Sequence, residues 1–263
     1  MAFDLNNFVI DRIVRGVALS QKDGSVLFSI NQIQNASLNC ASESADAVDA
    51  LGTPIATFYR AKTAEFSAEN ALFDMSLMAT QLGTEKKVAS ATSKVTAPAM
   101  ENFVAEGETY TLKHTPIDAP AEIYAINGDS TFGVKYTKAK ETTAEDNEFT
   151  VVDGVITLPK AVEAGTEMFV MYEYETENAV EVVNSAKNFP TGCKFVMEVL
   201  GCDVCDQTTL IYAYVLFPNF KISPDFDWSV ATDGAHPFSG KAQQDYCDKE
   251  KRLFSIVIPG DDE

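Results

Sequence analysis

Cys202 and Cys205, separated by Asp203 and Val204, form the one metal-like spacing in the chain. A structural zinc site takes four ligands, usually as two Cys or His pairs. Here Cys193, Cys247 and His236 stand singly at scattered positions, so no second pair completes a site. The strand–CxxC–helix setting of a thioredoxin-like redox centre is also missing, and the two thiols read as incidental to a polar turn. The two histidines, His114 and His236, lie far apart, and neither sits in a hydrolase motif or beside a nucleophile elbow. Asp225, Asp227 and Asp233 offer oxygen ligands to calcium but lack the loop pattern of an EF-hand. They read more simply as the solvent face of a strand whose other face carries Phe226 and Trp228 into a core. With 39 carboxylates on the chain, proximity of two acids in sequence says nothing about a paired-acid glycosidase site. No phosphate-cradling glycine loop is present. The residues therefore nominate no catalytic, cofactor-binding or metal site, and a non-enzymatic protein is expected.

Composition narrows the partners. A chain of 263 residues with 46% hydrophobic content can bury a sizeable core in one large or two modest domains. A formal charge of -19 disfavours binding nucleic acid through phosphate neutralisation. It suits a surface that a polyanion must pass without sticking. No apolar run reaches the roughly 20 residues that span a bilayer. The first residues lack a basic region followed by an apolar one, so synthesis in a cytoplasm is the default expectation. Five scattered cysteines, Cys40, Cys193, Cys202, Cys205 and Cys247, suit reduced thiols better than a disulfide framework.

The elements that would position these groups are mostly strands. Residues 1 to 30 read as a short helix or extended arm, the turn Lys22 to Ser25, and a strand from Val26. Ser37 to Ser44 follows as a strand, and Leu51 to Pro54 as a turn. From Ile55 to Glu65 two faces alternate: Ala56, Phe58, Arg60, Lys62 and Ala64 against Ile55, Thr57, Tyr59, Ala61, Thr63 and Glu65. Neither face is cleanly apolar, as expected of a strand that lines a pore or meets a neighbouring subunit. One helix is predicted, with Ser67 as N-cap, a stripe of Leu72, Met75, Ala79 and Leu82 widened by Met78, and Gly83 at its end. Glu85 to Ala99 reads as a linker. Short strands then come at Thr109–Lys113, Ala121–Ile126, Thr131–Tyr136, Glu148–Val152, Val155–Leu158 and Thr166–Tyr174, with Asp153-Gly154 as a two-residue hairpin turn. Their spacing suggests a small β-sandwich. After the break at Phe189 to Gly192, strands are predicted at Cys193–Leu200, Thr209–Phe217, Phe226–Thr232 and Leu253–Ile258. A Pro-punctuated connection through Pro218 and Pro224 separates the second from the third. The start of a further strand falls before Gly240. The fold class is mainly β, with one packed α-helix.

Three segments carry a family resemblance: Ile55 to Ser67 running into the helix that ends at Gly83, Phe189 to Leu200, and Phe217 to Gly240 with Leu253 to Pro259. Together they resemble the major tail tube proteins of long-tailed bacteriophages. The resemblance implies a tail-tube-type β-sandwich or barrel built from residues 1–94 and 186–263. It also implies an inserted small immunoglobulin-like β-sandwich over 95–185. It further implies a virion tail subunit, made in the host cytoplasm, that self-assembles into stacked rings, typically hexameric. Those rings form a lumen through which viral DNA passes without specific binding. Other tail proteins would be its partners, with no cofactor and no membrane. Another phage structural role, such as a capsid decoration or adhesin-like protein acting through the middle segment, is the alternative, and a β-sandwich hydrolase is a third reading.

Overall fold

A computed structural model describes residues 7–140, 146–232, 234–246 and 249–260. The chain divides into two compact units, one built from residues 1–86 and 182–263 and the other from Lys87–Glu181.

In the first unit the sequence opens with β-branched and apolar residues, and they form strands where a helix or arm was expected. β1 (Phe8–Ser20) and β2 (Val26–Ile30) flank the anticipated turn. There the Asp23 carboxylate accepts from the Ser25 N–H at 3.1 Å and its hydroxyl at 2.8 Å, and Gly24 takes φ 73°. β3 (Ile33–Val48) and β4 (Pro54–Asn70) make a hairpin longer than its sequence pattern suggested. β14 (Gly192–Asp203), β15 (Asp206–Ile222), β16 (His236–Ala242) and β17 (Ser255–Val257) complete the unit. All pairings are antiparallel in the order β2-β1-β14-β15-β16-β4-β3, with β17 on β15.

The core of this unit is aromatic. Phe66 lies 5.7–6.4 Å from Phe195, Phe217, Phe220 and Phe238. Phe28 of β2 meets Phe238 of β16 at 6.5 Å, so the sheet curls until strands far apart in its order share one core. Burying rings of this size contributes roughly 2–3 kcal/mol each, before entropy is subtracted.

Three expectations are corrected here. The helix α1 is Met75–Leu82, and Ser67 lies in β4, where residues 67–70 are held in the ladder with β16. Asp74 caps the helix instead, its Oδ1 accepting from Leu77 N at 2.7 Å. The buried stripe is accordingly Leu77, Ala79 and Gln81, while Leu72 is 61% exposed. Gly83 does end the helix at φ 67°, and a Cβ there would sit 2.2 Å from the Phe189 carbonyl carbon. Secondly, β15 continues through Pro218. The register steps from Phe217 opposite Phe195 to Phe220 opposite Cys193, which places Pro218 at a bulge. Proline's missing donor is tolerated there. Thirdly, Phe226–Thr232 is not a strand. The edge of β15 nearest this segment in sequence is taken by β16 at Phe220–Ile222 and, further back, by β17 at Tyr214–Leu216.

The second unit contains β5 (Lys87–Val88), β6 (Val95–Val104), β7 (Thr109–Thr111), β8 (Glu122–Ile126) and β9 (Phe132–Lys138). It ends with β10 (Glu148–Val152), β11 (Val155–Thr157), β12 (Glu167–Thr176) and β13 (Val180–Glu181). Seven of these form a sheet in the order β6-β12-β8-β9-β10-β11-β7, in which only β9 and β10 run parallel. Asp153 and Gly154 both take positive φ, 51° and 79°, as a two-residue turn requires. Ile123, Phe149, Ile156, Met168, Val170 and Tyr172 fill the core. The stretch read as a linker is structured. It holds β5 paired with β13, a bridge between Ser90 and Ser93, and the start of β6. Polar composition misled because these short pairings need few apolar side chains.

Candidate assembly surface

The β3–β4 hairpin changes character along its length. At its root β4 is sandwiched between β3 and β16, and Ala64, Phe66 and Ala68 point into the core. Beyond Ala64 only β3 pairs with β4, and every residue from Pro54 to Thr63 is exposed, on both faces. Ala61, at φ 48°, and the register shift between Ala41 and Glu43 mark the transition. This ribbon carries Val48, Leu51, Ile55, Phe58 and Tyr59 into solvent, Tyr59 at 71% and Leu51 at 91% exposure. Among the described residues the outer edge of β3 has no strand partner along its whole length. A two-stranded ribbon is marginal alone in water, and a long unprotected edge is a template for another chain.

The tip is ordered all the same. Asp49 Oδ1 accepts from Leu51 N at 2.8 Å and Thr53 N at 2.9 Å, while Asp49 N donates to Thr53 O at 2.9 Å. Leu51 is thereby presented from a closed turn. A second unpaired edge lies on β15, where Asp206 to Ala213 has β14 on one side and, among the described residues, no strand on the other. Leu210 and Tyr212 are exposed on it, and Val9 and Ile10 of β1 are exposed across the intervening β14.

The residues whose chemistry was weighed from sequence do not gather. Cys202 lies in β14 opposite Leu210, and Cys205 lies in the two-residue turn between β14 and β15, where Asp203 Oδ1 accepts from Cys205 N at 2.7 Å. Among the described residues no three His, Cys, Asp or Glu side chains group as metal ligands. Cys40 is exposed on β3, and Cys193 is buried, which pushes its thiol up to about 12. Cys247 and Asp233 lie outside the described residues. Asp225 and Asp227 are in the irregular segment after β15 and not on a strand. Trp228, expected in a core, is 37% exposed and stacks on Phe73 at 4.4 Å.

His114 and His236 belong to different units and have separate tasks. His114 stacks on Tyr174 at 3.9 Å. His236 is fully buried between Phe73, at 5.2 Å, and helix α1. Its Nδ1 accepts from Asp74 N at 3.4 Å, so Nε2 carries the proton and donates to Gln81 Oε1 at 2.8 Å. Gln81 Nε2 in turn donates to Pro237 O at 3.0 Å. Burial holds the imidazole below its usual range, against the opposing pull of Asp74.

One buried acid escaped the sequence reading. Glu101 on β6 occupies a core-facing position between Ala99 and Phe103 and is 3% exposed. Tyr172 Oη and Lys113 N (3.1 Å) donate to one carboxylate oxygen, and Tyr110 Oη donates to the other at 2.7 Å. Burial raises the carboxyl, but the tyrosines, Lys113 N and the Lys113 charge outweigh it and hold it below the usual range. Both tyrosines are pushed up to about 12, chiefly by burial and then by Glu101. Every donor is matched, as a network that fixes a core demands. Its signal in the sequence is a carboxylate at an apolar-phase position of β6, a strand whose first residues, Val95 to Ala99, have the composition of a linker.

A family model described as the YomU/Tube protein family matches residues 8–255. No curated protein matches the chain. Among the described residues no helix is long and apolar enough to cross a membrane.

Proposed function

Because the chain belongs to the YomU/Tube protein family, we propose that it is a bacteriophage tail tube subunit that performs no chemistry and polymerises with copies of itself into stacked rings. The rings are hexameric in this reading and enclose the conduit for viral DNA, and the subunit resides in the virion tail. The observation that carries the proposal is the β3–β4 ribbon, exposed on both faces, apolar in part, and unpaired along the outer edge of β3. An unprotected edge beside exposed apolar residues favours pairing with another chain, and identical copies in a symmetric assembly can supply that cover. The net charge of -19 suits a wall past which a polyanion slides.

Electron microscopy and sedimentation of the purified full chain test the reading. Tubes or rings are expected for the wild type, and their loss in a Phe58→Asp, Tyr59→Asp variant whose circular dichroism is unchanged. A wild-type chain that stays monomeric at high concentration, and is absent from tails, refutes it.

A second reading has one observation in its favour. The outer face of β12, β8 and β9 carries an exposed cluster in which Phe132 lies 5.3 Å from Tyr124 and 5.0 Å from Phe169, with Met171 and Met100 beside it. A decoration or adhesin-like protein would use such a face. Deleting 87–181 separates the two: a tube subunit retains polymerisation, whereas a decoration protein loses docking.

A further inference from the structure

The four strands at the root of the hairpin form a cleft of about 520 Å³ on the solvent side of the first unit. Its polar residues lie in cross-strand rows. Asn39, Glu65, Lys241 and Lys221 are successive register partners, and Ser37, Ser67 and Ser239 form the next row. Lys241 pairs with Glu65 at 2.7 Å. Lys221, directly opposite Lys241, faces a like charge and has no carboxylate partner among the described residues. Like charges opposite each other in a ladder are unfavourable unless an anion joins them. The cleft thus has a positive balance in a chain whose net charge is -19.

The hairpin tip has the opposite character. Asp46 is exposed on β3 just before the turn, and Asp49 and Leu51 follow within it. Only two strands wide, the tip fits a cleft of this volume, with Leu51 against Pro224 and the lysine stems. It cannot reach the cleft of its own chain, because at about 3.3 Å per residue Pro54 stands roughly 35 Å from Glu65 along β4. We infer that the hairpin tip of one copy docks in the Lys221–Lys241 cleft of the next copy, a head-to-tail contact between successive layers. The inference rests on the self-assembly reading and names the surfaces that reading leaves open. A heterologous contact of this kind builds a stack when its rotation leaves it open, each copy offering a tip to one neighbour and a cleft to another.

Charge exchange tests it in the full-length chain. Asp46→Lys and Lys221→Glu are made singly and together, folding is checked by circular dichroism, and the critical concentration for tube formation is measured by sedimentation. Each single variant should raise that concentration roughly tenfold or more, equivalent to about 1.4 kcal/mol or more, and added salt should weaken the wild type. The double variant should recover near-wild-type assembly, because tip and cleft are again opposite in sign. Single variants that assemble like a competent wild type overturn the docking contact and leave self-assembly standing. A double variant no better than the singles also overturns it. A wild type that never assembles removes both.

Discussion

Replacing Glu101 provides a quantitative test of the second unit, because three donors converge on its two oxygens from different parts of the chain. Glu101→Gln keeps the shape but has one acceptor oxygen. The amide oxygen can serve Tyr172 and Lys113 N, and the NH2 group then meets Tyr110, whose hydroxyl must turn to accept. One charge-assisted hydrogen bond becomes a neutral one and the charge on the others is lost, so about 2 kcal/mol should go at pH 7. Glu101→Leu leaves two tyrosine hydroxyls and one N–H without their acceptor, at about 1–3 kcal/mol each. Some relaxation toward water brings the expected total to about 3–5 kcal/mol. The pH dependence separates charge from packing. A carboxyl held below its unfolded value stabilises fully above that unfolded value, near 4.5, and the contribution is lost as pH falls through the folded one. Urea denaturation, followed by tyrosine fluorescence between pH 3 and 8, should therefore show wild type and Glu101→Gln well separated at pH 7 and converging below about pH 4. Equal stability of the two at pH 7, or a gap that persists undiminished at pH 3, would refute the reasoning.

His236 should give a different window. Its imidazole is held neutral below the usual 6.5, so the unfolded chain binds the proton first. Stability should fall as pH drops below 6.5, with a slope of at most about 1.4 kcal/mol per pH unit. In a His236→Gln variant, melting temperatures across pH 5 to 7 should lose that slope. Thiol labelling offers a third check. In unassembled protein Cys40 and Cys205 should react rapidly with a maleimide, while Cys193, buried and donating to Phe220 O at 3.4 Å, waits for unfolding. If the ribbon is the assembly surface, Cys40 becomes protected in tubes, and mass spectrometry of labelled peptides reads the change.

Much of the strand pattern was legible because period-two alternation meets a core on one side. β12 is the clearest case: Met168, Val170 and Tyr172 are buried while Met171 and Glu173 are exposed. The Asp153-Gly154 turn and the C-terminal glycine of α1 were readable because backbone conformation demands those residue types. What failed depended on partners distant in sequence. Ser67 is as good an N-cap as Asp74 locally, and only pairing with Ser239 commits it to a strand. Phe226 and Trp228 alternate like a strand, but the edge of β15 nearest them in sequence belongs to β16. The unusual faces of Ile55 to Glu65 did point to the exposed ribbon. The Lys221–Lys241 cleft could not be foreseen, since its residues become adjacent only through the order of β15, β16 and β4.

The short pair β5–β13 bears on how the molecule is made. It ties Lys87 beside Glu181, so once the middle segment folds, the 95 residues of Lys87–Glu181 act on the rest of the chain like a small clip. The entropy of closing a loop of that length is about 4 kcal/mol, and the contacts within the segment itself offset it. Until the ribosome has delivered residues 236–242, however, β4 has only β3 beside it. The exposed ribbon therefore emerges long before the strand that anchors its root, and a chain cut short before His236 leaves β4 with one neighbour.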